Sequence, residues 1–323
     1  MSFNNDLLVV ENLKTWFLLR SGAVKAVDGV TMKLHGKERV GLVGESSCGK
    51  STIALAIMRL VPSPGEIIEG QIYFKGKNLV ESSEEEMMGL RGKEIAMIFQ
   101  DPMTYLNPVM RIKDQIAEAI VAHRKVQKEE VTKMVIEILE RVRIPDPLKV
   151  MNYYPHQLSG GMLQRCMIAM ALSCEPSILI ADEPTTALDV TIQLQILDLL
   201  KKVSEELGMS LLLVTHDLGI VAEICDRVYV MYAGRIVEQA DIFTLYRRPG
   251  HPYTQALFQC ALSVDELKSE LVSIEGIVPD GIHLPSGCRF HPRCSKCMPI
   301  CRQREPVVRE IENGHEVACW LYT

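Results

Sequence analysis

The stretch Gly44-Glu45-Ser46-Ser47-Cys48-Gly49-Lys50-Ser51 restricts this chain more than any other. It fits the phosphate-loop pattern G-x-x-x-x-G-K-[ST], and its setting is the one that pattern needs. An apolar run, Arg39 to Val43, reads as a buried strand before it, and Thr52 to Leu60 reads as a helix after it. Glycines let such a loop turn several backbone N–H groups inward, and the helix N-terminus adds a partial positive charge. Lys50 is then placed to reach the outer phosphates, and the Ser51 hydroxyl to ligate magnesium. Gly44, Ser46, Ser47, Cys48, Gly49, Lys50, Ser51 and Thr52 are the expected phosphate contacts.

Two further stretches carry chemistry. Ile178-Leu179-Ile180-Ala181-Asp182-Glu183 is a buried strand ending in two acids. Asp182 is placed to hold magnesium, and Glu183 to polarise an attacking water as general base. Leu158-Ser159-Gly160-Gly161-Met162-Leu163-Gln164-Arg165 opens a helix with a serine and two glycines, which makes Ser159, Gly160 and Gly161 a second anion site. One nucleotide has no use for two cradles from the same chain. The pattern therefore predicts a dimer in which this helix covers a nucleotide held on the partner's loop.

Composition narrows the class. Hydrophobic residues make up 47% of the 323, enough for a sizeable core. The 35 Lys+Arg against 41 Asp+Glu leave a net charge of −6, whereas a nucleic-acid binder usually carries a basic surplus. The longest apolar runs are strand-length, short of the roughly 20 residues that cross a bilayer. Met1-Ser2-Phe3-Asn4-Asn5-Asp6 has no basic stretch followed by an apolar one, so no secretory signal is visible there and the chain reads as soluble and cytoplasmic.

Strand candidates at Ile95 to Phe99, Ser177 to Ala181, Ser210 to Thr215, Arg227 to Tyr232 and Arg235 to Val237 alternate with helices, the pattern of an α/β fold with a parallel sheet. Val30, Met32 and Leu34 alternate with Thr31 and Lys33 as in a half-buried strand. From Glu129 to Arg143, Val131, Met134, Val135, Ile138, Leu139 and Val142 fall on one helical face. Val190 to Leu207 is a long helix with Gly208 as its C-cap. Three regions follow: an ATP-binding core of 1–102 and 173–249, a helical insertion of 103–172, and a C-terminal extension of 250–323.

With the Ser159 motif in place, the chain resembles the ATP-binding cassette (ABC) family over roughly residues 6–250. The resemblance implies a P-loop NTPase cassette: a RecA-like core with an antiparallel β subdomain and an inserted helical subdomain. It implies that Gln100 touches magnesium and relays the nucleotide state to the helices, and that Asp189, in Ala187-Leu188-Asp189, lies across the dimer. It also implies that His216 contacts the γ-phosphate and that Phe17, with adjacent Trp16 as the alternative, stacks on adenine, either of them being otherwise plain core. Two positions depart from the family pattern. Met162 stands where glutamine is usual, and Ser47 where glycine is usual. If position 47 needs φ > 0, serine there costs about 1 kcal/mol.

The chain has ten cysteines, five of them crowded at Cys288, Cys294, Cys297, Cys301 and Cys319. A reducing compartment disfavours disulfides, so this density suggests zinc or an iron–sulfur cluster, with free structural thiols as the alternative. Spacing alone favours Cys288, Cys294, Cys297 and Cys301. Within the cassette family, Ile98 to Met103, Arg248 to Thr254 and Gly287 to Cys294 resemble the ATP-binding subunits of dipeptide and oligopeptide importers. That likeness implies instead that Cys288, Cys294, Cys301 and Cys319 hold a [4Fe–4S] cluster in a small irregular extension, with a structural role.

The resemblance implies an ATPase that uses ATP and Mg2+ to power peptide import from the cytoplasmic face of the membrane, as a peripheral subunit. Its expected partners are a paralogous ATPase or a second copy, two transmembrane permease subunits gripped through Asp101 to Arg111, and indirectly an extracytoplasmic peptide-binding protein. The alternatives are a soluble cassette protein acting on ribosomes or DNA, a non-hydrolysing regulatory subunit, and import of another cargo such as a nickel complex. Cys48, inside the loop, reads as a small residue that fits there, with sensitivity of the ATPase to thiol alkylation as a second reading.

Overall fold

The computed structural model describes residues 6–186, 188–260 and 274–322, together with the backbone of 261–265. Ala187, in the expected dimer-crossing loop, lies outside the described residues. In chain order the strands are β1 (Asp6–Leu19), β2 (Gly22–His35), β3 (Arg39–Val43), β4 (Gly65–Phe74), β5 (Lys77–Asn78), β6 (Ile95–Ile98), β7 (Ile178–Asp182), β8 (Ser210–Thr215), β9 (Arg227–Tyr232), β10 (Arg235–Asp241), β11 (Arg309–Glu312) and β12 (His315–Val317). The chain divides into two compact units, one containing Arg39–Glu81 and everything from Val214, with the chain up to His35, and the other Gly36–Glu38 and Ser82–Leu213.

The first unit carries an antiparallel sheet in the order β2-β1-β4-β5 and the strands β11-β12-β10-β9-β3 of a second sheet. β3 runs parallel to β9, and β9, β10, β12 and β11 follow one another antiparallel. Leu8, Val10, Leu13, Val30, Met32 and Leu34 are buried along the β1–β2 pair, Leu8 opposite Leu34, Val10 opposite Met32 and Leu13 opposite Val30. The alternation seen in Val30 to Leu34 is thus the visible end of a 14-residue strand. The extension is irregular in its middle, 274–308, and regular at both ends. Helix Pro252–Asp265 and the hairpin β11–β12 give it regular structure, and β12 pairs with β10. Glu238 on β10 holds the start of this region: its carboxylate accepts from the Gly250 N–H at 2.6 Å, the His251 N–H at 2.8 Å and His315 Nε2 at 2.8 Å. His251, fully enclosed, accepts from the Tyr253 N–H, and burial pushes its imidazole pKa down to about 3.

The second unit holds β8-β7-β6, with β6 and β7 parallel and every residue of β7 and β8 buried. Strands buried on both faces read as unbroken apolar runs, which is why they were visible in the sequence. Helices Ile112–His123, Lys128–Arg141 and Gly160–Leu172 occupy the expected insertion. Val131, Val135, Ile138, Leu139 and Val142 are buried, as the 3.6-residue pattern predicts. Arg165 ties two of these segments together, donating to the Val142 carbonyl at 2.9 Å and to Gln195 Oε1 at 3.0 Å. Helix Val190–Leu207 ends at Gly208 with φ 60, the left-handed cap expected of it. No helix among the described residues is long and apolar enough to cross a membrane.

Candidate nucleotide site

In the first unit β3 leads into the loop, and helix Lys50–Ile57 leads out. Two of its glycines have no substitute. A Cβ on Gly44 would lie 2.1 Å from the Met231 carbonyl oxygen, and one on Gly49 2.0 Å from that of Ala26. Ser47 takes φ 63, so this serine carries the cost of the left-handed conformation. Gly49 is the N-cap and makes no side-chain cap, so the first N–H groups of the helix are left for an anion. Lys50 Nζ donates to the carbonyls of Gly44 at 2.8 Å and Glu45 at 2.9 Å. Ser46, Ser47 and Ser51 are exposed at the rim, and Thr52 is half-buried.

Cys48 is 1% exposed, and burial pushes its thiol up despite the Lys50 charge beside it. Only the thiolate reacts with alkylating agents, so the structure does not favour the expected thiol sensitivity at this position. His216, exposed, follows β8. Its turn is fixed by Asp217, whose N–H donates to Thr215 Oγ1 and whose carboxylate caps helix Leu218–Ile224. Phe17 lies half-buried on β1 between Val24 and Gly65, and a Cβ on Gly65 would meet its ring at 2.7 Å. Neighbouring Trp16 carries the Lys25 ammonium 4.8 Å from its ring centroid.

In the second unit Asp182 ends β7, 6% exposed. Glu183 follows with φ 45, and its Oε2 accepts from Gln100 Nε2 at 2.9 Å and from Thr186 Oγ1 at 3.0 Å. The structure thus brings together the expected base and the expected relay residue. Ser159 is the N-cap of helix Gly160–Leu172 and makes no side-chain cap, so the amides that follow it are open to an anion. A Cβ on Gly161 would lie 2.8 Å from the Ile192 side chain, which would have to shift to admit it. Asp189 does local work: its Oδ1 accepts from the Ile192 N–H at 3.0 Å and caps helix Val190–Leu207.

All ten cysteines are free thiols. Among the described residues, no three His, Cys, Asp or Glu side chains form a group that could hold a metal ion, so neither the zinc reading nor the iron–sulfur expectation gains support on that count. Cys288, Cys294, Cys301 and Cys319 nevertheless line one small cavity, and Cys297 does not line it. Volume does not mark the phosphate site. A cavity of about 360 Å³ lies against Tyr232, Arg235, Arg289 and Phe290, and no residue of the loop lines it. Tyr253 and Arg293, which no local pattern marks, grip Glu45 of the loop from more than 200 positions away.

A glycine-bounded loop between a buried strand and a helix with open amides defines a P-loop nucleotide-binding protein. The comparisons carry this further. The ABC transporter family matches residues 27–186, and the oligopeptide/dipeptide transporter C-terminal region matches 237–301. A probable peptide ABC transporter ATP-binding protein of Sinorhizobium fredii is 50% identical, across 97% of this chain and 94% of that protein. A dipeptide transport ATP-binding protein of Escherichia coli is 45% identical, across 97% and 96%. An ATP-binding cassette solved as a dimer with ADP and phosphate superimposes with a TM-score of 0.66 at 27% identity, covering 73% of this chain and 98% of that one. The chain belongs to the ABC transporter family, as an ATP-binding subunit.

Proposed function

We propose that this chain is the ATP-hydrolysing subunit that powers import of di- and oligopeptides through a membrane permease. The observation that carries the reading is the double match, cassette and peptide-transporter C-terminal region, within relatives named for peptide transport over nearly their full length. That second region also favours import over a soluble cassette acting on ribosomes or DNA.

In this reading Gly44, Ser46, Ser47, Cys48, Gly49 and Thr52 shape the loop around the phosphates of ATP, and Lys50 leaves its resting carbonyls to bond them. Phe17 stacks on adenine. Glu183 takes the proton of the attacking water, and His216 with Lys50 stabilises charge on the γ-phosphate. Ser51, Gln100 and Asp182 would hold magnesium, which would neutralise phosphate charge. The Gln100–Glu183 contact gives the base a defined resting position. Ser159, Gly160 and Gly161 cover the nucleotide of a partner ATPase, a paralogue or a second copy, with Asp189 at that interface. The core is 1–102 with 173–249, the helical part 103–172 and the extension 250–323.

The subunit acts at the cytoplasmic face, against two permease subunits served by an extracytoplasmic binding protein. Met103, Tyr105 and Val109 are exposed by 61%, 50% and 80% in the Asp101 to Arg111 segment, which supports that segment as the permease grip. Vesicles carrying the permease and both ATPases should accumulate a labelled dipeptide only with ATP inside the compartment that holds this chain. Uptake without this subunit would overturn the reading.

For the extension we assign Cys288, Cys294, Cys301 and Cys319 to a [4Fe–4S] cluster, which would supply folding energy to a small domain. Their shared cavity, with Cys297 outside it, supports this set. Protein purified without oxygen should contain iron and acid-labile sulfide; an iron-free, colourless and fully folded protein removes the assignment.

A further inference from the structure

Glu45, one residue into the phosphate loop, is held twice over by distant parts of the same unit. Its backbone N–H donates to Tyr253 Oη at 2.8 Å. Its carboxylate receives both arms of Arg293, Nη1 to Oε2 at 2.8 Å and Nη2 to Oε1 at 3.0 Å. This is the two-pronged geometry that makes an arginine–carboxylate pair strong and directional. The Arg293 side chain is only 4% exposed, against 25% for Glu45.

The guanidinium is itself immobilised. Its Nε donates to the Glu275 carbonyl at 3.0 Å, Nη2 to that of Ile274 at 3.1 Å, and Nη1 to Tyr232 Oη at 3.4 Å. An arginine has five N–H donors, and these contacts with the Glu45 pair engage all of them. Tyr232 is in turn packed against Tyr253 and Phe290, with ring centroids 4.7 and 5.2 Å away. A donor set fixed on every side cannot swing away without breaking several bonds at once.

Two consequences reach the phosphates. Lys50 rests on the carbonyls of Gly44 and Glu45, so whatever fixes Glu45 also fixes the seat of the lysine. Glu45 also puts a negative charge into a loop built for a polyanion, and a bare carboxylate there would repel the triphosphate. Arg293 neutralises it in place. From this geometry we infer that Arg293 is a positioning residue of the nucleotide site: it pre-shapes the loop and cancels the Glu45 charge without touching the nucleotide. The extension is then a working part of the ATP site. This rests on the proposed reading that residues 44–51 cradle ATP.

The test is the affinity of the full-length protein for Mg-ATP, with thermal stability measured alongside. Arg293→Gln should weaken ATP binding about tenfold, which is 1.4 kcal/mol. Turnover at saturating ATP should stay close to that of the parent, because a preorganisation loss falls on binding. Adding Glu45→Gln to that variant should restore most of the affinity, since the unmasked charge is then gone. Arg293→Lys, which keeps charge but not the fork, should fall between, and it replaces Arg293→Gln should the latter not fold. A merely structural arginine would lower stability and leave the ATP affinity unchanged, or lose affinity that neutral Glu45→Gln does not recover. Either result overturns the inference. Lys50→Ala examines the underlying reading by itself: ATP binding that survives it removes the cradle assignment, while tight binding in Arg293→Gln removes only the role given to Arg293.

Discussion

Glu183→Gln should bind ATP normally and hydrolyse it about a thousandfold more slowly, the scale of a lost general base. The substitution keeps the size of the side chain and one oxygen. The contacts to Gln100 Nε2 at 2.9 Å and Thr186 Oγ1 at 3.0 Å can therefore persist, and the turn at Glu183 is not disturbed by a cavity. What disappears is the ability to accept a proton from water. Phosphate release at saturating ATP reads the loss, and size-exclusion chromatography with ATP reads the dimer, which should accumulate because the closed state no longer resets. Turnover at the parent rate would show that Glu183 is not the base.

Asp28→Asn should cost about 3–5 kcal/mol of stability, the usual penalty for breaking a buried ion pair from one side. Asp28 on β2 accepts from Arg289 Nη2, and Arg235 approaches it at 3.6 Å. The Arg289 and Asp28 side chains are 6% and 9% exposed, and Arg289 also donates to the Ala233 carbonyl at 2.6 Å. Without the carboxylate, a guanidinium stays buried with half its charge partner missing. Burial raises the Asp28 pKa, but the Arg289 hydrogen bond and charge, with help from Arg235, outweigh it and hold the group below its ordinary 3.8. A depressed carboxyl stabilises the fold above its unfolded pKa and stops doing so as pH falls through the folded one. The difference in urea midpoint between parent and Asp28→Asn should therefore be full at pH 7 and shrink below about pH 4. A gap independent of pH would mean that charge is not what the pair contributes.

Which parts were legible follows from how local their cause is. The loop, β7 with its two acids, and the Ser159 helix start are all written within a few consecutive residues, and each stands where its pattern places it. β1 was not visible because its register shifts between Val10 and Leu13, with Asn12 at φ 46, and a bulge breaks the two-residue alternation that identifies a strand. The hairpin β11–β12 is only four and three residues long and mostly polar, so it carries no period to detect. The bond between Arg293 and Glu45 joins positions 248 apart, and nothing in either neighbourhood announces the other.

The pairing of β12 with β10 has a consequence for handling the protein. A sheet's last strand shows unpaired N–H and C=O groups that invite other chains to add on. The hairpin moves that exposed margin from β10, with its apolar Ile236 and Val237, to a short strand reading Arg309-Glu310-Ile311-Glu312. A four-residue margin with three charged side chains is a poor template for self-association. The hairpin thus covers the β10 margin of this sheet and leaves a short, charged strand in its place.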